Sequence, residues 1–113
     1  MTMTTGFRIL KRDRVAAPEL VANVSDSMSR MTTAGSRLRP MQTSGGMAGV
    51  ALTVKARPGD NLMLHAAIDR AVPGDVIVVD AGGALDDALL GELMLAYAIK
   101  KGVVGFVIDG AIR

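Results

Sequence analysis

Cysteine is absent from all 113 residues, so the chain can form neither a disulfide framework nor a thiolate metal site. That usage suits a reducing compartment, and a cytoplasmic location is the expectation. Aromatics are nearly missing as well: Phe7, Tyr97 and Phe106 are the whole set. A platform on which nucleic-acid bases stack has almost nothing to be built from. Histidine is limited to His65, set among Leu62, Met63, Leu64, Ala66, Ala67 and Ile68, so no His-based metal cluster or Ser-His-Asp triad is expected. The most apolar stretches, Val76–Val79 and Leu93–Ile99, fall far short of a membrane span. No long apolar core precedes a small-residue cleavage site near the N-terminus, so a secretory leader is not expected and the protein should be soluble.

What is present is aliphatic. Half of the residues are hydrophobic, mostly Ala, Val, Leu, Ile and Met, and 13 are glycine. This composition predicts a buried core with helices packed closely on a sheet, and the length suits one domain. Of the eight methionines two lie in the start region, and the others are expected as core filler more than as a binding surface. The formal net charge of +2 conceals an asymmetry, because residues 1–57 carry +6 and residues 58–113 carry −4. A basic half raises nucleic acid as a partner. Without interleaved aromatics a solvated surface is the expected reading.

Along the chain, residues 1–17 show no clean period and read as an N-terminal arm, with a single α/β domain over 18–113. Pro18 suits the first turn of a helix running to about Ser29, with a second start available at Ser25 and Asp26. Residues 32–47 are rich in Thr, Ser and Gly and read as a loop. Gly49–Lys55 is β-branched and apolar, which predicts a strand. The turn Arg57–Asp60 leads into a helix over Asn61–Ala71, capped by Asp60 or Asn61. After the Pro73–Asp75 turn, Val76–Asp80 reads as a buried strand. The Ala81–Ala84 break is followed by a helical segment to Lys101, ended by Gly102 as a left-handed cap. Val103–Asp109 reads as the last strand.

Several positions could carry chemistry. Gly91 interrupts a helical pattern, and a mid-helix glycine is about 1 kcal/mol less favourable than alanine. Either the helix packs closely against the sheet there, or it begins near Leu90 and leaves the amides of Glu92, Leu93 and Met94 free as an anion site. Asp80, Gly82 and Gly83 follow a buried strand, but they lack the spacing of a dinucleotide or P-loop fingerprint. Asp86 and Asp87 read as capping or surface charges. Asp109-Gly110 reads as a turn, and Arg113 is a guanidinium at a strand end, suited to a carboxylate or an enolate.

Read together, RPGDN at 57–61, PGDVIVVDAGG at 73–83, GELM at 91–94 and GVVGFVIDGAIR at 102–113, with VSDSM at 24–28 and LRP at 38–40, form an ordered set. This set resembles the class II 4-hydroxy-4-methyl-2-oxoglutarate aldolases, whose relatives include the regulator of ribonuclease E activity. The resemblance implies an α/β fold of the β/β/α swivelling-domain (phosphohistidine-domain-like) type, assembled as a homotrimer or hexamer. It implies a lyase that uses Mg²⁺ or Mn²⁺ to cleave 4-hydroxy-2-oxo acids to pyruvate, with oxaloacetate decarboxylation as a side activity. On this resemblance the Gly91, Glu92, Leu93 and Met94 turn holds the pyruvyl carboxylate through backbone amides. Arg113 binds substrate and stabilises the enolate, Asn61 lines the pocket, and Glu92 orders the metal's water shell. Family members place a metal-binding aspartate directly after the arginine matching Arg113 and then continue through further strands. The resemblance therefore implies no direct metal ligand in this chain, a fold incomplete at its C-terminus, and no activity unaided. Two other functions accompany it. One is a non-catalytic interaction protein resembling the inhibitor of ribonuclease E. The other is a methyltransferase label attached to the family, which the sparse glycines at 82–83 do not favour.

Overall fold

The computed structural model describes residues 18–31 and 35–113. The arm expected over residues 1–17 lies outside the described residues. Helix α1 (Pro18–Ser27) runs unbroken through Ser25 and Asp26, so no second start occurs there. It stops where Ser29 and Arg30 turn left-handed (φ 70° and 61°), with the Arg30 amide bonded to the Ser25 carbonyl.

The β-branched runs become strands β1 (Val50–Lys55), β2 (Asp75–Asp80) and β4 (Gly105–Asp109), which form a parallel sheet in the order β1-β2-β4. Their register aligns Val54 with Val79 and Val79 with Ile108. One face of this sheet is therefore a continuous apolar surface. Helix α2 (Leu62–Arg70) packs against β1 and β2 and buries Leu64, Ala67 and Ile68 in that surface. At its start the Asp60 carboxylate, not Asn61, accepts a backbone N–H, from Leu62 at 2.9 Å. Ile77 on the central strand is fully buried, as are Leu64 and Ala98.

The segment between β2 and β4 departs from the sequence expectation. In place of one helical run to Lys101 there is a short strand β3 (Ala88–Leu90), then Gly91, then helix α3 (Glu92–Lys100). Strand β3 pairs in parallel with β5 (Ala111–Ile112) in a separate two-stranded sheet. Leu89 and Leu90 are buried, and burial plus this non-local pairing outweighs the helical preference of the run. Gly102 ends α3 with φ +85°, as its position predicts. A Cβ there would come within 2.8 Å of the Pro73 backbone. Asp69 on α2 ties the helices together, accepting from the Tyr97 hydroxyl at 2.9 Å while its carbonyl accepts from Lys101 Nζ at 2.8 Å. That hydrogen bond to Asp69 raises the Tyr97 pKa above the ordinary tyrosine value. No helix among the described residues is long and apolar enough to cross a membrane.

Candidate functional site

Gly91 is the N-cap of α3 and sits in extended backbone (φ −118°, ψ 174°), so the helix starts at Glu92. The Gly91 carbonyl takes the first helical bond, from the Leu95 amide at 3.0 Å. The amides of Glu92, Leu93 and Met94 precede any intrahelical acceptor, and glycine has no side chain with which to cap them. A serine or aspartate at this position would have filled that role. Of the two readings of Gly91, the helix start is the one the backbone adopts.

The β3–β5 pairing brings the distant end of the chain to this point. The Arg113 amide bonds the Leu90 carbonyl at 3.1 Å. The Arg113 Nε lies 3.6 Å from where a Cβ on residue 91 would be, so the missing side chain leaves the guanidinium beside the helix start. Free amides, the positive end of a helix dipole and a cation thus converge on one spot, an arrangement that favours a carboxylate. Gly91 and Arg113 are among the residues lining a cavity of about 440 Å³, with Leu95, Val104, Phe106, Met41 and Met47, whereas Glu92, Leu93 and Met94 do not line it.

The other residues expected at the site are nearby but distributed differently. Asn61 stands half-buried beside α3, its Nδ2 3.7 Å from the Met94 sulfur, and does not line the cavity. Glu92 and Leu93 are exposed at the helix start. His65 is exposed on α2. Methionines also depart from the expectation of core filler: Met31, Met41 and Met63 are exposed, and Met41 and Met47 line the cavity. For Met41 and Met47, a place in the Thr/Ser/Gly-rich loop was the available signal.

A row of charges that the sequence does not reveal crosses the carboxyl end of the sheet. The register places Lys55 beside Asp80 and Asp80 beside Asp109. Lys55 Nζ pairs with one Asp80 oxygen, Gly82 N–H donates to the other at 3.0 Å, and Arg37 pairs with Asp109 at 2.7 Å. The Arg37 guanidinium occupies the space over Gly83, 2.6 Å from a built Cβ. The hydrogen bond from Lys55, then that from Gly82, holds the Asp80 carboxyl below the usual carboxylate range. A depressed folded-state value stabilises the fold above the unfolded carboxylate pKa, and this contribution is lost as pH falls through the lowered value. In Lys55→Met the Asp80 carboxyl is expected to titrate at higher pH than in the parent, as read by carboxyl-carbon NMR. An unmoved Asp80 titration would show that the lysine is not the cause.

A divalent ion needs several oxygen ligands. Among the described residues no group of three or more His, Cys, Asp or Glu could hold one, and Asp80 and Asp109 are each engaged by a cation. The described residues alone therefore do not fit a Mg²⁺ or Mn²⁺ site.

The family model described as RraA-like, Aldolase/RraA, matches residues 21–113. A protein of Halalkalibacterium halodurans named as a candidate 4-hydroxy-4-methyl-2-oxoglutarate aldolase is 41% identical over 80% of this chain and 43% of its own length. One of the same name from Burkholderia multivorans is 40% identical over 67% of the chain and 46% of its own length. Among solved structures, the RNA-processing inhibitor RraA from Thermus thermophilis superposes with a TM-score of 0.71 at 28% identity, covering 81% of this chain and 56% of that one. A structure titled as an S-adenosylmethionine:2-dimethylmenaquinone methyltransferase from Geobacillus kaustophilus gives 0.63 at 31% identity, covering 81% of this chain and 57% of that one. The chain spans less than half the length of these two curated relatives.

Proposed function

The chain belongs to the RraA-like Aldolase/RraA family, and from that premise we propose that it supplies the pyruvyl-binding part of a lyase that cleaves 4-hydroxy-2-oxo acids to pyruvate. The observation that carries this reading is the meeting of the α3 start, with its uncapped amides, and Arg113.

In retro-aldol cleavage the C4 hydroxyl gives up its proton, C4 becomes a carbonyl, and the C3–C4 bond breaks. Its electron pair passes to C3 and delocalises onto the C2 oxygen as an enolate, which takes a proton at C3 to become pyruvate. The amides of Glu92, Leu93 and Met94 hold the carboxylate and fix the orientation of the breaking bond. Arg113, beside them, opposes the negative charge that develops on the enolate. Water or hydroxide is the base in this reading. Loss of CO₂ from oxaloacetate yields the same enolate, so decarboxylation is the proposed side activity.

Mg²⁺ or Mn²⁺ dependence is part of the proposal, with ligands beyond the described residues. A homotrimer or hexamer is the proposed assembly, supported by the exposure of Leu93 and Ile99 on α3 and readable by light scattering. A methyltransferase reading is not favoured, because Gly82 and Gly83 lack the spacing of a nucleotide-binding fingerprint and the Arg37 guanidinium lies over Gly83.

The test is pyruvate release from 4-hydroxy-4-methyl-2-oxoglutarate and oxaloacetate, with and without Mg²⁺ or Mn²⁺. It is run on residues 1–113 and on a form continued past Arg113 with the family's aspartate. Ion-dependent release is the expected result for the continued form. No release from either form, with both folded, would favour the second reading, an inhibitor of ribonuclease E type. The likeness to an RNA-processing inhibitor supports that alternative.

A further inference from the structure

We infer that residues 36–44 form a hinged strap that opens and closes the cavity lined by Arg113, with the Arg37–Asp109 ion pair as its latch. The motion of the strap does not depend on the pyruvyl reading; only its consequence for pyruvate does.

The strap contains neither helix nor strand. It runs alongside β4 in the opposite direction. Arg37 reaches Asp109 at the end of that strand, and Met47, just past the strap, lies over Gly105 at its beginning. Two cavities lie along this course. The one lined by Gly91 and Arg113 takes Met41, Gln42 and Ser44 from the strap. A second, of about 620 Å³, takes Arg37 and Met41 from the strap and Val107 and Ile108 from β4. The strap is thus a wall common to both, and lifting it opens the Arg113 cavity to solvent along that wall.

Glycines bound the strap. Gly35 and Gly45 have φ of +83° and +91°, and a Cβ built on either meets no atom within 4 Å. Both can change conformation without displacing a packed neighbour, as a hinge requires. Pro40 stiffens the segment between them. Among the described residues, the strap's one hydrogen-bonded tie to the sheet runs from Arg37 Nη2 to Asp109 Oδ2 at 2.7 Å. The arginine of this pair is 71% exposed and the aspartate 26%. A pair so exposed holds weakly and is screened by salt, so the latch closes the strap without locking it.

Because the chain has no cysteine, Thr43→Cys gives residues 1–113 a single thiol for a nitroxide label, at an exposed strap position off both cavity walls. Broadening of the Gly91 and Arg113 amide resonances by the label reports the closed strap. The closed-to-open ratio is expected to fall by about two- to fivefold in Asp109→Asn, which keeps the shape of the side chain and removes its charge. Added salt should lower the ratio in the parent and leave it fixed in the variant. A ratio unmoved by both the substitution and salt overturns the inference. Arg37→Met repeats the test should Asp109→Asn fold poorly. Pyruvate then probes access, and this arm alone rests on the pyruvyl reading: its association and dissociation should both quicken in Asp109→Asn. Unchanged pyruvate rates with a freed strap would overturn its role as a gate. No pyruvate binding, with a strap that responds to salt, would remove the pyruvyl reading and leave the strap.

Discussion

In Gly91→Asp, pyruvate binding is expected to fall by more than tenfold while the protein melts at the same temperature or slightly higher. The backbone at residue 91 is extended, a conformation open to any amino acid, and a Cβ there meets Arg113 Nε at an ordinary contact distance of 3.6 Å. Aspartate is among the preferred N-cap residues, and its carboxylate would accept from the amides of the first turn. It would also lie next to the Arg113 guanidinium. The variant thus carries a tethered carboxylate in the place proposed for the substrate's, and the free ligand competes against it at high effective concentration. The stability gain from glycine to aspartate at an N-cap is a few tenths of a kcal/mol, or about 1–3 °C in a domain of this size.

Gly91→Ala separates binding from stability. Alanine is a poorer N-cap than glycine, so this variant should melt slightly lower. It has no acceptor to occupy the amides, and pyruvate binding should persist. Aspartate therefore lowers binding without lowering stability, and alanine lowers stability without lowering binding. Parent-like pyruvate binding in Gly91→Asp would show that the carboxylate is held somewhere other than the start of α3.

This convergence was only half legible in the sequence. The strands β1, β2 and β4 announce themselves as β-branched runs between Pro-Gly turns, and the helix end at Gly102 follows from its need for positive φ. The start of α3 was open, because a glycine among Leu, Leu, Glu and Leu fits both a close-packed helix and a helix start. Strand β3 decides between them. Three residues, Ala88–Leu90, are too few to show a period of two, and their pairing partner lies more than twenty positions later in β5. The charge row was hidden for the same reason. Arg37, Lys55, Asp80 and Asp109 are scattered along the chain, and only the strand register aligns the last three. Taken singly, Asp109 reads as a turn. The cavity wall was hidden differently: Met41 and Met47 sit in a segment whose Thr, Ser and Gly content correctly predicts a loop and says nothing of what that loop covers.

Gly49 and Gly105 are the second place where physical context, not residue type, decides the outcome. A built Cβ at either position overlaps a neighbour severely, so a count of clashes predicts equal damage. At Gly49 the neighbour is the Gly74 carbonyl oxygen, with Val76 and Val104 methyls at 3.1 and 3.2 Å. That carbonyl cannot retreat easily: the Gly74 amide is bonded to Gly102 at 2.8 Å, and Asp75 is fixed both by the Val72 carbonyl and by its pairing with Val50. At Gly105 the neighbour is the sulfur of Met47, the far end of a flexible side chain on a partly exposed loop. Gly49→Ala should therefore lose about 2–3 kcal/mol, seen as a drop of roughly 10–20 °C in melting temperature. Gly105→Ala should lose less than about 1 kcal/mol, because the thioether can swing aside. Equal destabilisation by the two substitutions would mean that Met47 is held as firmly as the backbone.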